Sequence, residues 1–187
     1  MTRIVAGTKG GRRIGTPPGR DTRPTADRVR EALFSTLATL TDIDGCRFAD
    51  LYAGSGAVGL EAASRGAGSV LLVEADARAA KIIRSNIATL DLAACCRVLV
   101  ARVPTAAVGG PYDVVFADPP YAVAQDEIGE LLRDLVDHGW LADGAVVVLE
   151  RSARSQPPPS VSGVTLDRTR RYGESMLWYF RADPVRA

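Results

Sequence analysis

Histidine and cysteine are nearly missing from this chain, which has one histidine and three cysteines in 187 residues. His138 alone gives no basis for imidazole chemistry. Cys46, Cys95 and Cys96 are odd in number, and they lack both CxxC spacing and a histidine-rich neighbourhood. These shortages argue against a disulfide framework, a zinc site and histidine-based catalysis. Apolar runs of the roughly 20 residues needed to span a membrane are also missing. The opening "MTRIVAGTKGGRR" lacks the hydrophobic segment of a secretory signal. The expectation is a soluble, cytoplasmic protein that uses neither metal nor membrane. Nothing in the sequence marks a subunit interface, so a monomer is expected.

The net charge of +1 conceals an asymmetry. Residues 1 to 30 carry eight basic side chains and two acids, whereas the remainder carries 15 basic and 20 acidic groups. A basic arm on a mildly acidic body points to a polyanionic partner, the alternative being a solvated tail. The arm itself, "RIVAGTKGGRRIGTP", has two short extended runs around a Lys-Gly-Gly turn and reads as a small β-hairpin. Val29, Leu33, Phe34, Leu37 and Leu40 then recur at helical spacing, with Thr25 placed as the N-cap.

From Arg47 onward, apolar runs alternate with amphipathic segments. Strands are expected at "RFADLY", "SVLLVEA", "CRVLVA", "YDVVFA" and "GAVVVLER". Helices are expected at "AVGLEAASRG", "ARAAKIIRSNIATL" and "QDEIGELLRDLVDHG". Near-continuous Val/Leu strands separated by helices imply an α/β fold whose parallel sheet is covered on both faces. The last two runs, "GVTLDRTRRY" and "ESMLWYFRA", have no helix between them and read as an antiparallel hairpin closing one edge. Arg168, Arg170 and Arg171 on that hairpin could extend the basic surface, or protect an edge strand. Trp140, Trp178 and Phe180 are assigned to the core.

Two motifs carry chemistry. "DLYAGSGAVGLEA" leaves the first core strand through Gly54, Gly56 and Gly59, where glycines allow a tight turn and close approach of a ligand to the backbone. Glu74 closes the next strand, in the position that faces a ribose in this topology. A nicotinamide dinucleotide suits these glycines, and so does S-adenosylmethionine; Asp50, at the end of the first strand, could hold the methionine moiety of the latter.

The second motif is "YDVVFADPPY". Each proline fixes its own φ and keeps the preceding residue extended, so the Asp118 side chain and the Pro119 carbonyl are held rigidly beyond the strand end. Two acceptors placed together suit one amino group with two hydrogens, and Tyr121 offers a flat face to the ring carrying it. Accepting from both N–H groups favours a pyramidal nitrogen and frees its lone pair for attack on a methyl group. Positioning and preorganised dipoles would then supply most of the catalysis.

The pairing of the glycine loop with "DPPY" resembles class I, S-adenosylmethionine-dependent amino-group methyltransferases, whose motif is (Asp/Asn/Ser)-Pro-Pro-(Tyr/Phe/Trp). "RIVAGTKGGRRI", "RPTADRVREALFSTL" and "RRYGESMLWYF" extend the likeness over almost the whole chain, to the RsmD family of bacterial enzymes that methylate N2 of a guanine in 16S ribosomal RNA. The resemblance implies a Rossmann-like, mostly parallel seven-stranded sheet with a C-terminal antiparallel hairpin. It also implies an RNA-facing N-terminal hairpin over residues 1–24, a methyltransferase domain over 25–187, and action on RNA already assembled with ribosomal proteins. The implied cofactor residues are Asp50, Tyr52, Gly54, Gly56, Glu74, Ala75, Arg102 and Val103, with Asp118 bordering both ligands and Arg23 and Thr25 beside the crevice. Asp118, Pro119, Pro120 and Tyr121 would hold the guanine. Arg3, Lys9, Arg12, Arg13 and Arg20 are the candidates for RNA phosphates.

The chain departs from the pattern after the third strand, where such enzymes often place an acid near the adenine. This sequence reads "VARVPTAAV", so adenine recognition would rest on backbone groups from Ala101 to Val103. Two other readings remain open: the same chemistry on DNA adenine or cytosine or on a protein glutamine, and a non-catalytic RNA-binding assembly factor. Asp rather than Asn at 118 speaks against glutamine, and the lack of a target-recognition domain speaks against DNA.

Overall fold

The short apolar runs assemble into one sheet, seen in a computed structural model that describes residues 2–18, 24–103 and 109–184. In chain order the elements are β1 (Thr2–Arg3), β2 (Arg13–Ile14), α1 (Pro24–Leu40), β3 (Arg47–Leu51), α2 (Ala57–Ser64), β4 (Ser69–Glu74) and α3 (Ala77–Leu90). They continue with β5 (Cys96–Val100), β6 (Tyr112–Ala117), α4 (Gln125–Asp137), β7 (Leu141–Ser152), β8 (Val164–Tyr172) and β9 (Ser175–Ala182). Strands β1 and β2 form a separate antiparallel pair, and the other seven are ordered β5-β4-β3-β6-β7-β9-β8. Only β9 runs against its neighbours, so the sheet is mostly parallel and closed at one edge by the β8–β9 hairpin, as expected.

Strand order sets the site. The chain steps outward from β3 to β4 and β5, then returns to the other side of β3 with β6. Beyond the carboxyl ends of β3 and β6 the connections diverge, which leaves the crevice where open α/β sheets bind ligands.

Alternating side chains divide the core into two layers. Phe48, Val70, Leu72, Val114 and Val148 face α1, α2 and α3, with Phe34 stacked on Phe48 at 6.0 Å between centroids. Ala49, Leu71, Val115, Val147 and Leu149 face α4 through Ile128, Leu131, Leu132 and Leu135. Trp140 and Phe180 are buried in this second layer, and Trp178 packs partly buried against it.

Two local expectations change. Helix α1 begins at Pro24, so Thr25 lies inside the first turn rather than at the cap. Proline suits that first position because its φ is already helical and its missing N–H would have had no intrahelical acceptor. Strand β7 starts at Leu141, three residues before the apolar run that signalled it. A strand can begin ahead of its continuous apolar run when its neighbour supplies the ladder, and here Tyr112 pairs with Leu141.

The N-terminal hairpin is fastened to the body. Ile4 and Ile14 are buried in the same cluster as α1 and α2, while their neighbours Arg3 and Arg13 are exposed. Between the strands, Gly7 has φ +81° and comes so close to α2 that a Cβ there would lie 2.0 Å from the Ser64 carbonyl oxygen. No other residue fits that approach.

Candidate active site

The glycine loop is built by strain and by two carboxylates. Tyr52 takes φ +60°, which is costly for a residue with a bulky side chain, and Gly54 (φ +61°) and Gly56 (φ +82°) continue the turn into α2. Gly59 allows α2 to sit on the sheet, since a Cβ there would approach Leu72 Cδ2 to 2.8 Å. Glu74 accepts the Gly54 N–H at 2.7 Å on one oxygen and the Asp76 N–H at 2.9 Å on the other. It therefore pins the loop as well as facing the crevice, and each oxygen keeps a lone pair for a further donor.

Asp50 is buried and accepts the Gly59 N–H at 2.8 Å. Burial drives its carboxyl well above the ordinary carboxylate range; the Gly59 bond opposes this, and the nearby Asp118 and Glu74 carboxylates reinforce it. Three acids thus converge at the ends of β3, β4 and β6. A ligand carrying positive charge near Asp50 relieves their repulsion, and the glycine loop gives its backbone room. Both features fit S-adenosylmethionine better than a dinucleotide, whose phosphates would meet the acids.

Of the other cofactor candidates, Ala75 and Arg102 are exposed and Val103 packs against the second core layer. The Ala101 N–H is given to the Glu74 carbonyl at 3.2 Å. Arg20 and Arg23, and the side chain of Thr25, lie outside the described residues.

Asp118 leaves the end of β6 exposed, Pro119 is buried, and Tyr121 is 74% exposed, open to a planar ligand. What fixes this turn is Arg151, buried at the end of β7. Its guanidinium donates to the Pro120 carbonyl at 3.2 Å and to the Val123 carbonyl at 3.0 Å, while the Val123 N–H closes the turn onto the Pro120 carbonyl at 3.0 Å. Arg151 and Glu127 also act on Tyr52: burial raises its phenol pKa, Glu127 adds to the rise and Arg151 opposes it. Arg151 is thus a positioning residue for the turn after β6, and its charge is felt at Tyr52 in the glycine loop. Arg151→Met should slow chemistry at this turn by about 100-fold, as expected for a misplacement of roughly 1 Å, and leave ligand affinity at the glycine loop nearly unchanged. Single-turnover kinetics together with calorimetry would check both halves.

The hairpin is held by a buried polar cluster. Glu61 accepts the Val5 and Ala6 N–H groups at 2.8 and 2.9 Å, and pairs with Arg30 at 3.4 Å and Arg65 at 2.9 Å. Ser64 takes the Lys9 N–H at 2.9 Å. Asn86, buried in α3, accepts the Gly15 N–H at 2.8 Å and donates to the carbonyls of Gly15 at 2.9 Å and Ser55 at 3.0 Å. One amide therefore joins the arm to the glycine loop. Of the arm's cations, Arg12 donates to the Thr89 carbonyl and Arg3 lies 3.7 Å from Asp27. Arg13 is exposed and, among the described residues, makes no ion pair.

Residues 2–181 match the family described as Conserved hypothetical protein 95. The chain belongs to the RsmD family. Over 174 residues it is 37% identical to Ribosomal RNA small subunit methyltransferase D of Escherichia coli, covering 92% of this chain and 85% of that one. The protein of the same name from Haemophilus influenzae is 32% identical, over 79% and 77% of the two chains. The solved structure of yhhF from Escherichia coli superposes with a TM-score of 0.84 and 32% identity, over 97% of each chain. Family membership and the seven-stranded sheet agree with the resemblance read from the sequence. Within this RsmD chain, that reading missed Arg151, Glu61 and Asn86. For Arg151 and Glu61 the available signal was a charge at the end of an apolar strand or inside an otherwise apolar helix; the neutral Asn86 gave none.

Proposed function

We propose that this chain transfers a methyl group from S-adenosylmethionine to the exocyclic N2 amine of a guanine in small-subunit (16S) ribosomal RNA, on assembled 30S particles or a late precursor. The observation that carries this reading is the placement of Asp118, on a turn clamped by Arg151, across the β3–β6 crevice from the glycine loop and Glu74. Family membership and the name of the E. coli relative support the RNA substrate.

When bound, S-adenosylmethionine supplies a methyl group on a positively charged sulfur. Glu74 and the glycine loop hold the nucleoside part, and the buried acid Asp50 favours the positive end. The Asp118 carboxylate and Pro119 carbonyl accept from the two N–H bonds of the target amine, directing its lone pair at the methyl group, and Tyr121 stacks on the base. The nitrogen becomes acidic only as the new bond forms, so one proton can then leave by way of Asp118 or water. A paired guanine hides this amine, so the base must be unpaired or turned out of its stack. The arm, with Arg3, Lys9, Arg12, Arg13 and Arg20, would hold phosphates.

The test supplies labelled S-adenosylmethionine with either protein-free 16S RNA or 30S particles from cells lacking the enzyme, followed by nucleoside analysis. Label in N2-methylguanosine, formed faster on 30S particles, is the expected result. Label in methyladenosine or in protein would overturn the substrate assignment, and no transfer would favour a binding factor.

A further inference from the structure

The rim of the sheet is divided by charge. On one side of Asp118, the ends of β3 and β4 carry Asp50 and Glu74. On the other side, the ends of β7 and β8 and the turn after β7 carry Arg151, Arg154, Arg170 and Arg171. Pairing fixes Arg151 and Arg171 on one face of the sheet, and Arg170, opposite Leu177, on the other face of the same edge strand. Arg151 and Arg171 both lie opposite Met176 in the β7–β9–β8 ladder, so the three share one row and one face. The turn after β7 is tied to the hairpin tip by the Ala153 N–H, which donates to the Glu174 carbonyl at 2.8 Å.

Arg151 is buried and committed to the turn after β6, whereas Arg154, Arg170 and Arg171 are exposed and lightly used. Arg171 donates through Nε to the Gly173 carbonyl at 3.1 Å, and Arg170 through one Nη to the Thr169 carbonyl at 2.9 Å. Among the described residues neither forms an ion pair, so most of the five N–H groups on each remain for another acceptor. Arg154 meets Glu174 at 3.4 Å with its side chain 84% exposed, a contact that contributes little in water. Glu150 shares with Arg170 the row through Leu177 two strands away, and Glu127 is occupied by the Ala124 N–H at 3.2 Å. Edge protection alone would not need cations gathered at the catalytic end of the strand.

We propose that the tip of the β8–β9 hairpin, with Arg170, Arg171 and Arg154, is a second RNA-contacting surface that receives phosphates flanking the target base. The inference rests on the ribosomal RNA reading above and adds to it the side from which the strand enters. Strand β8 lies three places from β6, about 14 Å at the usual strand spacing, within reach of neighbouring nucleotides. Arginine forks match phosphate oxygens, so the surface positions the RNA without reading its sequence. The cofactor would occupy the acidic half of the rim and the polyanion the basic half, with Asp118 between them.

The test compares wild type, Arg170→Ala/Arg171→Ala and Arg170→Lys/Arg171→Lys on 30S particles from cells lacking the enzyme, across a salt series. The alanine pair should raise KM for the particles by about tenfold, leave kcat and S-adenosylhomocysteine affinity unchanged, and flatten the plot of log kcat/KM against log salt by about 2. The lysine pair should restore the slope. An alanine pair with unchanged KM and slope, while wild type forms N2-methylguanosine, overturns this surface alone. A lysine pair as impaired as the alanine pair, with a lowered melting temperature, overturns it in favour of a structural role. A wild type that methylates no RNA overturns both this surface and the reading beneath it.

Discussion

Asp118→Ala should reduce single-turnover methyl transfer by about 100- to 1,000-fold, the usual effect of removing one preorganised polar group from a reacting centre. Binding of S-adenosylhomocysteine should stay within about a factor of three, because Glu74 and the glycine loop lie on other strands and keep their mutual bond. The split follows from the role assigned to the side chain: it accepts from the amine that reacts and contributes little to holding the cofactor. Asp118→Asn keeps one oxygen acceptor on the same rigid turn and should retain more activity than alanine. Removing the Asp118 charge also lowers the pKa of Asp50, which that charge helps to raise. A titration of cofactor affinity against pH would show the midpoint moving down. Normal turnover in Asp118→Ala would sink the mechanism.

The second large effect concerns stability. Glu61 is fully buried and receives two backbone N–H groups of the hairpin and two arginines. Glu61→Ala leaves those donors facing a void, with Arg30 itself buried. Breaking a buried pair from one side costs about 3–5 kcal/mol, so the melting temperature should fall by roughly 10 °C. Glu61→Gln keeps an acceptor and should lose less. Denaturant unfolding of the three proteins, with hydrogen exchange at Val5 and Ala6, would separate global from local loss. A change below about 1 kcal/mol in Glu61→Ala would mean that the hairpin is held by Ile4, Ile14 and the bonds to Ser64 and Asn86 without help from Glu61.

The sequence makes elements more legible than contacts. Helix α3 runs from Ala77 to Leu90, as its periodicity predicts, because Asp76 accepts the Arg78 and Ala79 N–H groups and fixes the start locally. The end of β6 was legible for the same reason: two prolines act on adjacent bonds. Arg151 is different. Its partners Pro120 and Val123 lie 31 and 28 residues away, and only the placement of β7 beside β6 brings them within reach. Glu61 reads as an ordinary charge on a helix until the hairpin, 55 residues earlier, covers it. In the arm, the charge was easier to read than the packing: Arg3-Ile4 and Arg13-Ile14 alternate outward and inward, but two residues of alternation are too few to distinguish a docked strand from a solvated tail.

The docking of that hairpin bears on the order of events during synthesis. Residues 2–14 are made before the groups that fasten them, which are Glu61, Ser64 and, through Gly15, Asn86. Two strands of two residues cannot persist alone in water. The segment must therefore remain unstructured until α2 and α3 have been made, and only then does its row of cations acquire a defined shape. A peptide copied from the first eighteen residues would carry the charge of the arm but not its geometry.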